Sequence, residues 1–265
     1  MIKRGILYYY SGSGNTERAS LYLADRSQKV EFELCDIVKG PYRSFDHYDV
    51  VGFACYSDAW NVPHKMKEFI AGLPRAQGKT AFVMNTFGCI SGRTLLILRK
   101  LVTRKGFKVV CGHSLHCPEN YPPMIVGGHG FEESPDEQER ASFDRFIIQL
   151  GELAGDNPPR SKGCIPVRMR DRLLLSCVAK LFGLISGTHF MVDQTLCVVC
   201  RRCVEVCPYG AIEMNPRAVI DSKRCYACWG CYNHCPVQAI YTRNIKGNGQ
   251  YGAPNDHLRK MLSLS

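Results

Sequence analysis

Eight of the fifteen cysteines fall between Cys197 and Cys235, in an order that repeats. Cys197-x-x-Cys200-x-x-Cys203-x-x-x-Cys207-Pro208 is echoed by Cys225-x-x-Cys228-x-x-Cys231-x-x-x-Cys235-Pro236, and Ala211-Ile212 is echoed by Ala239-Ile240. The segment is an internal duplication, and such spacing marks metal ligands rather than disulfide partners. Paired Cys-x-x-Cys also builds structural zinc sites with four ligands each. Zinc does not require three cysteines at successive intervals of three plus a Cys-Pro partner, whereas that pattern wraps a cubane iron–sulfur cluster. The chemistry this implies is one-electron transfer.

A second stretch, residues 8–20, reads YYYSGSGNTERAS: an apolar run, a loop of small polar residues, and the start of a helix. It has the character of a phosphate cradle. It lacks the Gly-Lys-Ser/Thr with which a P-loop holds phosphates and magnesium, which excludes triphosphate hydrolysis. It also lacks the third glycine of a dinucleotide turn, since Gly12 and Gly14 are followed by Arg18. What remains is Ser11, Ser13, Asn15 and Thr16 before a helix N-terminus. That suits one dianionic phosphate, held by side chains, backbone N–H groups and the helix dipole without a lysine. The plainer alternative is a serine-rich turn that only caps a helix.

The elements that must position these residues follow from periodicity. Strands are predicted at Gly5 to Tyr10, Val30 to Ile37, Val50 to Tyr56, Thr80 to Asn85 and Lys108 to Leu115. Helices are predicted at Asn15 to Ser27, Pro63 to Ala71, Ser91 to Lys105 and Pro135 to Ala154. Strand and helix in alternation give an α/β domain, a doubly wound parallel sheet covered on both faces. Ligands of such sheets bind outside the carboxyl ends of the strands. The loops that matter are then Ser11 to Thr16, Ser57 to Val62, Thr86 to Ser91, and the segment His116 to Ser134, long and without predicted regular structure.

Over roughly Val192 to Arg243 the cysteine segment resembles bacterial two-cluster ferredoxins in every ligand position. There the fourth cysteine of each half reaches across to the other cluster. That resemblance implies two 4Fe-4S clusters, one on Cys197, Cys200, Cys203 and Cys235, the other on Cys225, Cys228, Cys231 and Cys207. The strand, the Ser-x-Ser-Gly-Asn-Thr loop and the helix after it are similar to the phosphate loop of flavodoxins, which bind FMN. The chain as a whole thus resembles a flavodoxin-like domain fused to a C-terminal α+β two-cluster ferredoxin domain. The resemblance implies five strands in the order 2-1-3-4-5, with FMN at the top of strands 1, 3 and 4. Its phosphate would lie on Ser11, Gly12, Ser13, Gly14, Asn15 and Thr16. Further flavin loops are implied at Asn85, Thr86, Phe87 and Gly88, and at Pro118, Asn120 and Tyr121. The loop Tyr56 to Asn61, with Tyr56 and Trp60, has no glycine where flavodoxins often carry one, and Phe87 stands where they often stack a tyrosine. Trp60, Phe87 and Tyr121 are the candidates to cover the ring. Cys55, Cys89 and Cys117 fall at or just beyond strand ends, open to a flavin-linked thiol role or to plain burial. His113 and His116 are candidate proton donors, or strand-end residues that satisfy local hydrogen bonds.

The predicted division is a flavodoxin-like domain over 1–155, a connector over 156–191 and the ferredoxin domain over 192–243. The connector carries an amphipathic helix in Arg168 to Gly187; a tail over 244–265, part of it mobile, ends the chain. The apolar run at residues 6–10 is too short for a signal peptide, and Leu173 to Val192 is broken by Lys180, Gly183, Gly187 and His189, so neither export nor a membrane span is expected and the location expected is cytoplasmic. The formal charge of +10 would fall to roughly +4 with two oxidised clusters and a bound phosphate, which argues against a nucleic-acid partner. Arg168 to Arg172 and Arg201-Arg202 are basic patches for an acidic redox partner, or solvated faces. The first functional expectation is an electron-transfer iron–sulfur flavoprotein of an anaerobe, moving electrons among the clusters, FMN and a protein partner, with no catalytic acid or base. The alternatives are an FMN-dependent reductase of a small-molecule acceptor fed by the clusters, and a docking or assembly subunit without flavin. Self-association is left open.

Overall fold

The computed structural model describes residues 2–153 and 189–265. The amphipathic helix expected at Arg168 to Gly187 and the basic run Arg168 to Arg172 lie outside the described residues, as does most of the apolar stretch Leu173 to Val192. Among the described residues no helix is long and apolar enough to cross a membrane.

The near-continuous apolar runs of the N-terminal half form β1 (Lys3–Tyr10), β2 (Val30–Asp36), β3 (Val50–Tyr56), β4 (Thr80–Phe87) and β5 (Lys108–His116). They pair in parallel in the order β2-β1-β3-β4-β5, as expected. β1, β3 and β4 show little hydrophobic alternation because both faces are covered, whereas the edge strand β2 alternates apolar and charged residues. Leu7, Tyr9, Ala54, Phe82 and Met84 enter one core with α1 (Asn15–Arg26) and α5 (Glu137–Leu153). Ile6, Tyr8, Phe53, Cys55 and Val83 enter the other, with α2 (His64–Gly72) and α3 (Thr94–Arg104). Successive strand residues thus serve opposite layers, and each buried large side chain contributes about 1.5–3 kcal/mol. In α1 the buried face is Ala19, Ser20, Tyr22 and Leu23, while Glu17 in the first turn and Arg26 in the last complement the helix dipole.

Two segments carry more structure than their composition implied. The stretch from His116 to Ser134 contains α4 (Pro122–Val126), started by a proline at its first turn. The C-terminal tail holds a further helix, Asp256–Met261, capped by Asn255 Oδ1, which accepts from the Leu258 N–H at 2.9 Å. Leu258 and Leu262 are fully buried in the core beside α1 and α5, so this part of the tail is packed structure rather than a loose end.

By contacts the described chain divides into two units: residues 2–118, 131–153 and 254–265 form the first, and 119–130 with 189–253 the second. In the second unit β6 (Met191–Val192) pairs with β9 (Ile240–Tyr241), and β7 (Ile212–Met214) with β8 (Ala218–Ile220), both antiparallel. The short helices α6 (Arg202–Glu205) and α7 (Gly230–Asn233) carry the third cysteine of each half, Cys203 and Cys231. The sequence duplication is a structural one. The Cys197 N–H donates to the Asp193 carbonyl at 3.1 Å, and 28 residues on, that of Cys225 donates to Asp221 at 3.0 Å. The Asp193 N–H reaches the Ala239 carbonyl in the other half, and that of Asp221 reaches Ala211.

Candidate functional site

In the first unit the loops at the carboxyl edge of the sheet are stitched together by their own polar groups. The Gly14 N–H donates to Ser11 Oγ at 3.0 Å, which folds the loop tightly over residues 11–14. Gly14 is the N-cap of α1 at φ 94, a left-handed conformation that glycine adopts without strain, and no side chain caps the helix. A helix N-terminus whose cap residue has no side chain is a place where an anion can take the capping role. Asn15 Nδ2 donates to the Pro118 carbonyl at 2.9 Å, linking this loop to the end of β5. The Thr16 and Thr86 hydroxyls share a hydrogen bond of 2.8 Å, linking it to the end of β4. The Tyr56 ring lies 3.6 Å from a Cβ built on Gly12, and the Ser57 N–H donates to the Thr86 carbonyl at 2.8 Å.

The structure thus brings Ser11 to Thr16, Tyr56, Thr86 and Pro118 together, with a division of labour that the sequence did not reveal. The Asn15 amide and the Thr16 hydroxyl are buried and committed to neighbouring loops. Asn85 is also turned inward: it accepts from Ser114 Oγ at 2.6 Å and donates to Ser91 Oγ at 3.1 Å, so it fixes the loop rather than facing outward. Phe87 is stacked against the His116 ring at 5.1 Å, and His116 Nδ1 lies 3.0 Å from Glu139 Oε1 and 3.1 Å from Ser134 Oγ. Asn120 and Tyr121 belong to the second unit. There Tyr121 meets Trp229 edge-on at 5.6 Å, and the Asn120 carbonyl accepts from Asn233 Nδ2 at 2.8 Å.

The loop after β3, which has no glycine, turns with two residues in the left-handed region, Ala59 at φ 43 and Trp60 at φ 64. Gly92, itself at φ 59, lets Trp60 approach: a Cβ there would stand 2.4 Å from that of Trp60. Strain of this kind persists where surrounding structure holds it, and it clusters at ligand sites. Cys55 and Cys117 are fully enclosed, and burial pushes both thiols well up, the opposite of what a reactive thiol needs. His113 lies between Phe143 at 5.3 Å and Phe146 at 5.1 Å; burial, then the Arg145 charge, lower its pKa to about 4, leaving a neutral ring in the packed layer.

In the second unit the thiols gather across the duplication. Cys197, Cys200, Cys203 and Cys235 line one cavity. The Cys203 pKa is raised by burial first and then by Cys200 and Cys235. That of Cys231 is raised well up by burial first and then by Cys228, Cys225 and Cys207. Each quartet takes its fourth member from the other half. The Ala211 N–H donates to Cys207 Sγ at 3.4 Å, and the Ala239 N–H to Cys235 Sγ at 3.3 Å, which orients both crossing sulfurs. Val199 and Arg201, and at the equivalent positions Ala227 and Trp229, all have positive φ, which wraps the backbone round each cysteine loop. Crowded, buried thiols resist ionisation alone; bound iron would supply the positive charge that relieves the cost.

Residues 196–239 match the family described as a 4Fe-4S dicluster domain. Comparison with curated proteins gives no match. Among solved structures, a flavodoxin from the domain Archaea is 14% identical with a TM-score of 0.45, over 57% of this chain and 98% of its own. A short-chain flavodoxin associated with a bacterial microcompartment is 16% identical with a TM-score of 0.46, over 58% and 100%. The flavodoxin, WrbA-like protein from Agrobacterium tumefaciens is 13% identical with a TM-score of 0.42, over 57% and 97%.

Proposed function

We propose that this chain, a flavodoxin-like sheet joined to a 4Fe-4S dicluster domain, is an electron-transfer iron–sulfur flavoprotein that passes electrons among two clusters, FMN and an external redox partner. The observation that carries the reading is the pair of crossed thiol quartets, each completed by a cysteine from the opposite half. Cys197, Cys200, Cys203 and Cys235 would hold one cluster, and Cys225, Cys228, Cys231 and Cys207 the other. The FMN phosphate would rest on the N-terminal turn of α1, within the loop Ser11 to Asn15. When bound, the clusters supply one-electron steps and the flavin two-electron steps.

The chain's own residues do the positioning. The N–H groups of Ala211 and Ala239 orient the crossing sulfurs, and donors to sulfur tune cluster potential. Thr16 and Asn15 fix the loop so that its N–H groups are aimed before any ligand arrives, which lowers the ordering cost of binding. No side chain at the strand ends is assigned as a catalytic acid or base.

The test is anaerobic reconstitution of the full chain and of two variants. Wild type is expected to take up about eight irons and about one FMN. Cys235→Ser should impair the cluster of the first cysteine loop although it lies in the second half, and Cys207→Ser the converse. One cluster lost per half in the uncrossed sense would contradict the ligand sets.

A further inference from the structure

The two cysteine loops are equivalent in backbone and unlike in surface. At the position 28 residues on from Arg201 stands Trp229, with the same positive φ. Trp229 is 6% exposed, packed among Phe190 at 4.8 Å, Tyr232 at 5.2 Å and Tyr121 at 5.6 Å, so this position of the second loop is turned into its own unit. Arg201 is exposed, as are Arg202 and Cys200. The apolar residues of the first loop are uncovered too: Leu196 is 42%, Val198 60% and Val199 45% exposed. In the second loop the residue matching Val198 is Tyr226, which is 38% exposed and stacks on Tyr209 at 4.9 Å.

Three neighbouring apolar side chains at the surface beside ligand cysteines, ringed by polar residues, are the setting of an interaction site. The charge beside them indicates the kind of partner. Arg201 and Arg202 form no ion pair among the described residues. Arg217, next to the same loop, spends its guanidinium on the carbonyls of Gln194 and Cys197, the latter at 2.7 Å. Glu205 is the one carboxylate on α6. Around the second loop, by contrast, Arg224 is neutralised by Asp221 and Glu213.

Resting on the electron-transfer reading above, we propose that the face of Leu196, Val198, Val199, Arg201 and Arg202 docks a redox protein whose own docking face rings an apolar centre with carboxylates. Electrons then exchange with that partner through the cluster of Cys197, Cys200, Cys203 and Cys235. The step balances simply: one electron leaves the partner's reduced centre, the partner is oxidised, the cluster is reduced, and no bond breaks and no proton moves. The opposite direction is the same step reversed. Apolar contact supplies proximity, and the arginines supply steering that salt screens.

The experiment uses iron-loaded full-length protein and, as probe, a small acidic [2Fe-2S] ferredoxin. Anaerobic calorimetry of the two oxidised proteins gives affinity, and stopped-flow mixing with the reduced probe gives the transfer rate. Saturable binding is expected near 20 mM salt and should weaken at least about tenfold near 300 mM. R201E/R202E should weaken it at least about tenfold at low salt. V198S should weaken it several-fold with little change in salt dependence, and K223E, on the second loop, should leave it within about twofold. No saturable binding by wild type, no loss in R201E/R202E, or an equal loss in K223E would overturn the assignment. Self-association abolished by V198S would also overturn it, by giving the face to a second copy of the chain. Protein that takes up no iron would instead sink the electron-transfer reading, and this inference with it; with iron present, only the docking face is at stake.

Discussion

The hydroxyls of Thr16 and Thr86 meet at 2.8 Å with both side chains buried, so the first turn of α1 and the end of β4 are locked to each other. Removing one partner leaves the other unsatisfied, at a cost of about 1–3 kcal/mol. T16V and T86V should each destabilise by that amount, and T16V/T86V by clearly less than their sum. Urea unfolding in a W229F background, followed through Trp60 emission, checks this, and strict additivity would contradict the coupling.

Gly14 is held by two constraints at once. Its φ of 94 disfavours any side chain, and a Cβ there would stand 2.6 Å from Pro254 Cδ. G14A should therefore deform the loop that precedes α1 and weaken FMN binding at least about tenfold, read by flavin fluorescence. G14A/P254A should recover part of the loss, since it removes the clash but not the backbone strain. Full recovery would assign the whole effect to the clash.

The tail helix is a structural part of the first unit. Leu258 and Leu262 are fully buried, and His257 Nε2 lies 3.0 Å from the Pro135 carbonyl. L258A and L262A should each cost about 2–4 kcal/mol. If either is neutral in urea unfolding, the tail is not packed as described.

His113 makes stability pH-dependent. Its ordinary pKa of 6.5 is lowered to about 4 in the folded state, by burial first and then by Arg145. Between those values the unfolded chain binds more protons, so stability rises with pH across this window. The contribution is fully present above about pH 6.5 and is lost as pH falls toward 4, up to about 3 kcal/mol in all. H113F should flatten the dependence between pH 5 and 6.5 relative to wild type in urea unfolding. Parallel pH profiles would contradict this account.

Much of this was legible in the sequence where chemistry is local. The β3 bounds came as expected, because a fully buried parallel strand reads as an unbroken apolar run such as residues 50–56, while the sheet order is the one that the flavodoxin resemblance implied. Cysteine spacing marked a duplicated ligand segment because ligand geometry constrains neighbours a few residues apart, whereas the crossing of the fourth cysteines was implied by the ferredoxin resemblance. What stayed hidden depends on distant partners. Nothing near Asn15 or Thr16 marks Pro118 or Thr86 as the groups that take up their side chains, so both read as phosphate ligands. Nothing near Tyr121 marks Trp229, the ring it meets edge-on. One signal was present but unread: Pro254-Asn255 ahead of Leu258 and Leu262, four residues apart, is a cap followed by an apolar helical stripe.

The measurement that bears most directly on the central claim is an anaerobic reductive titration of reconstituted protein, with iron and flavin assayed on the same sample and cluster and flavin absorbance read together. The account expects about four electrons per chain, one for each cluster and two for FMN, equilibrating among all three centres. Iron for two clusters without flavin, or flavin that stays oxidised while the clusters reduce, would contradict it.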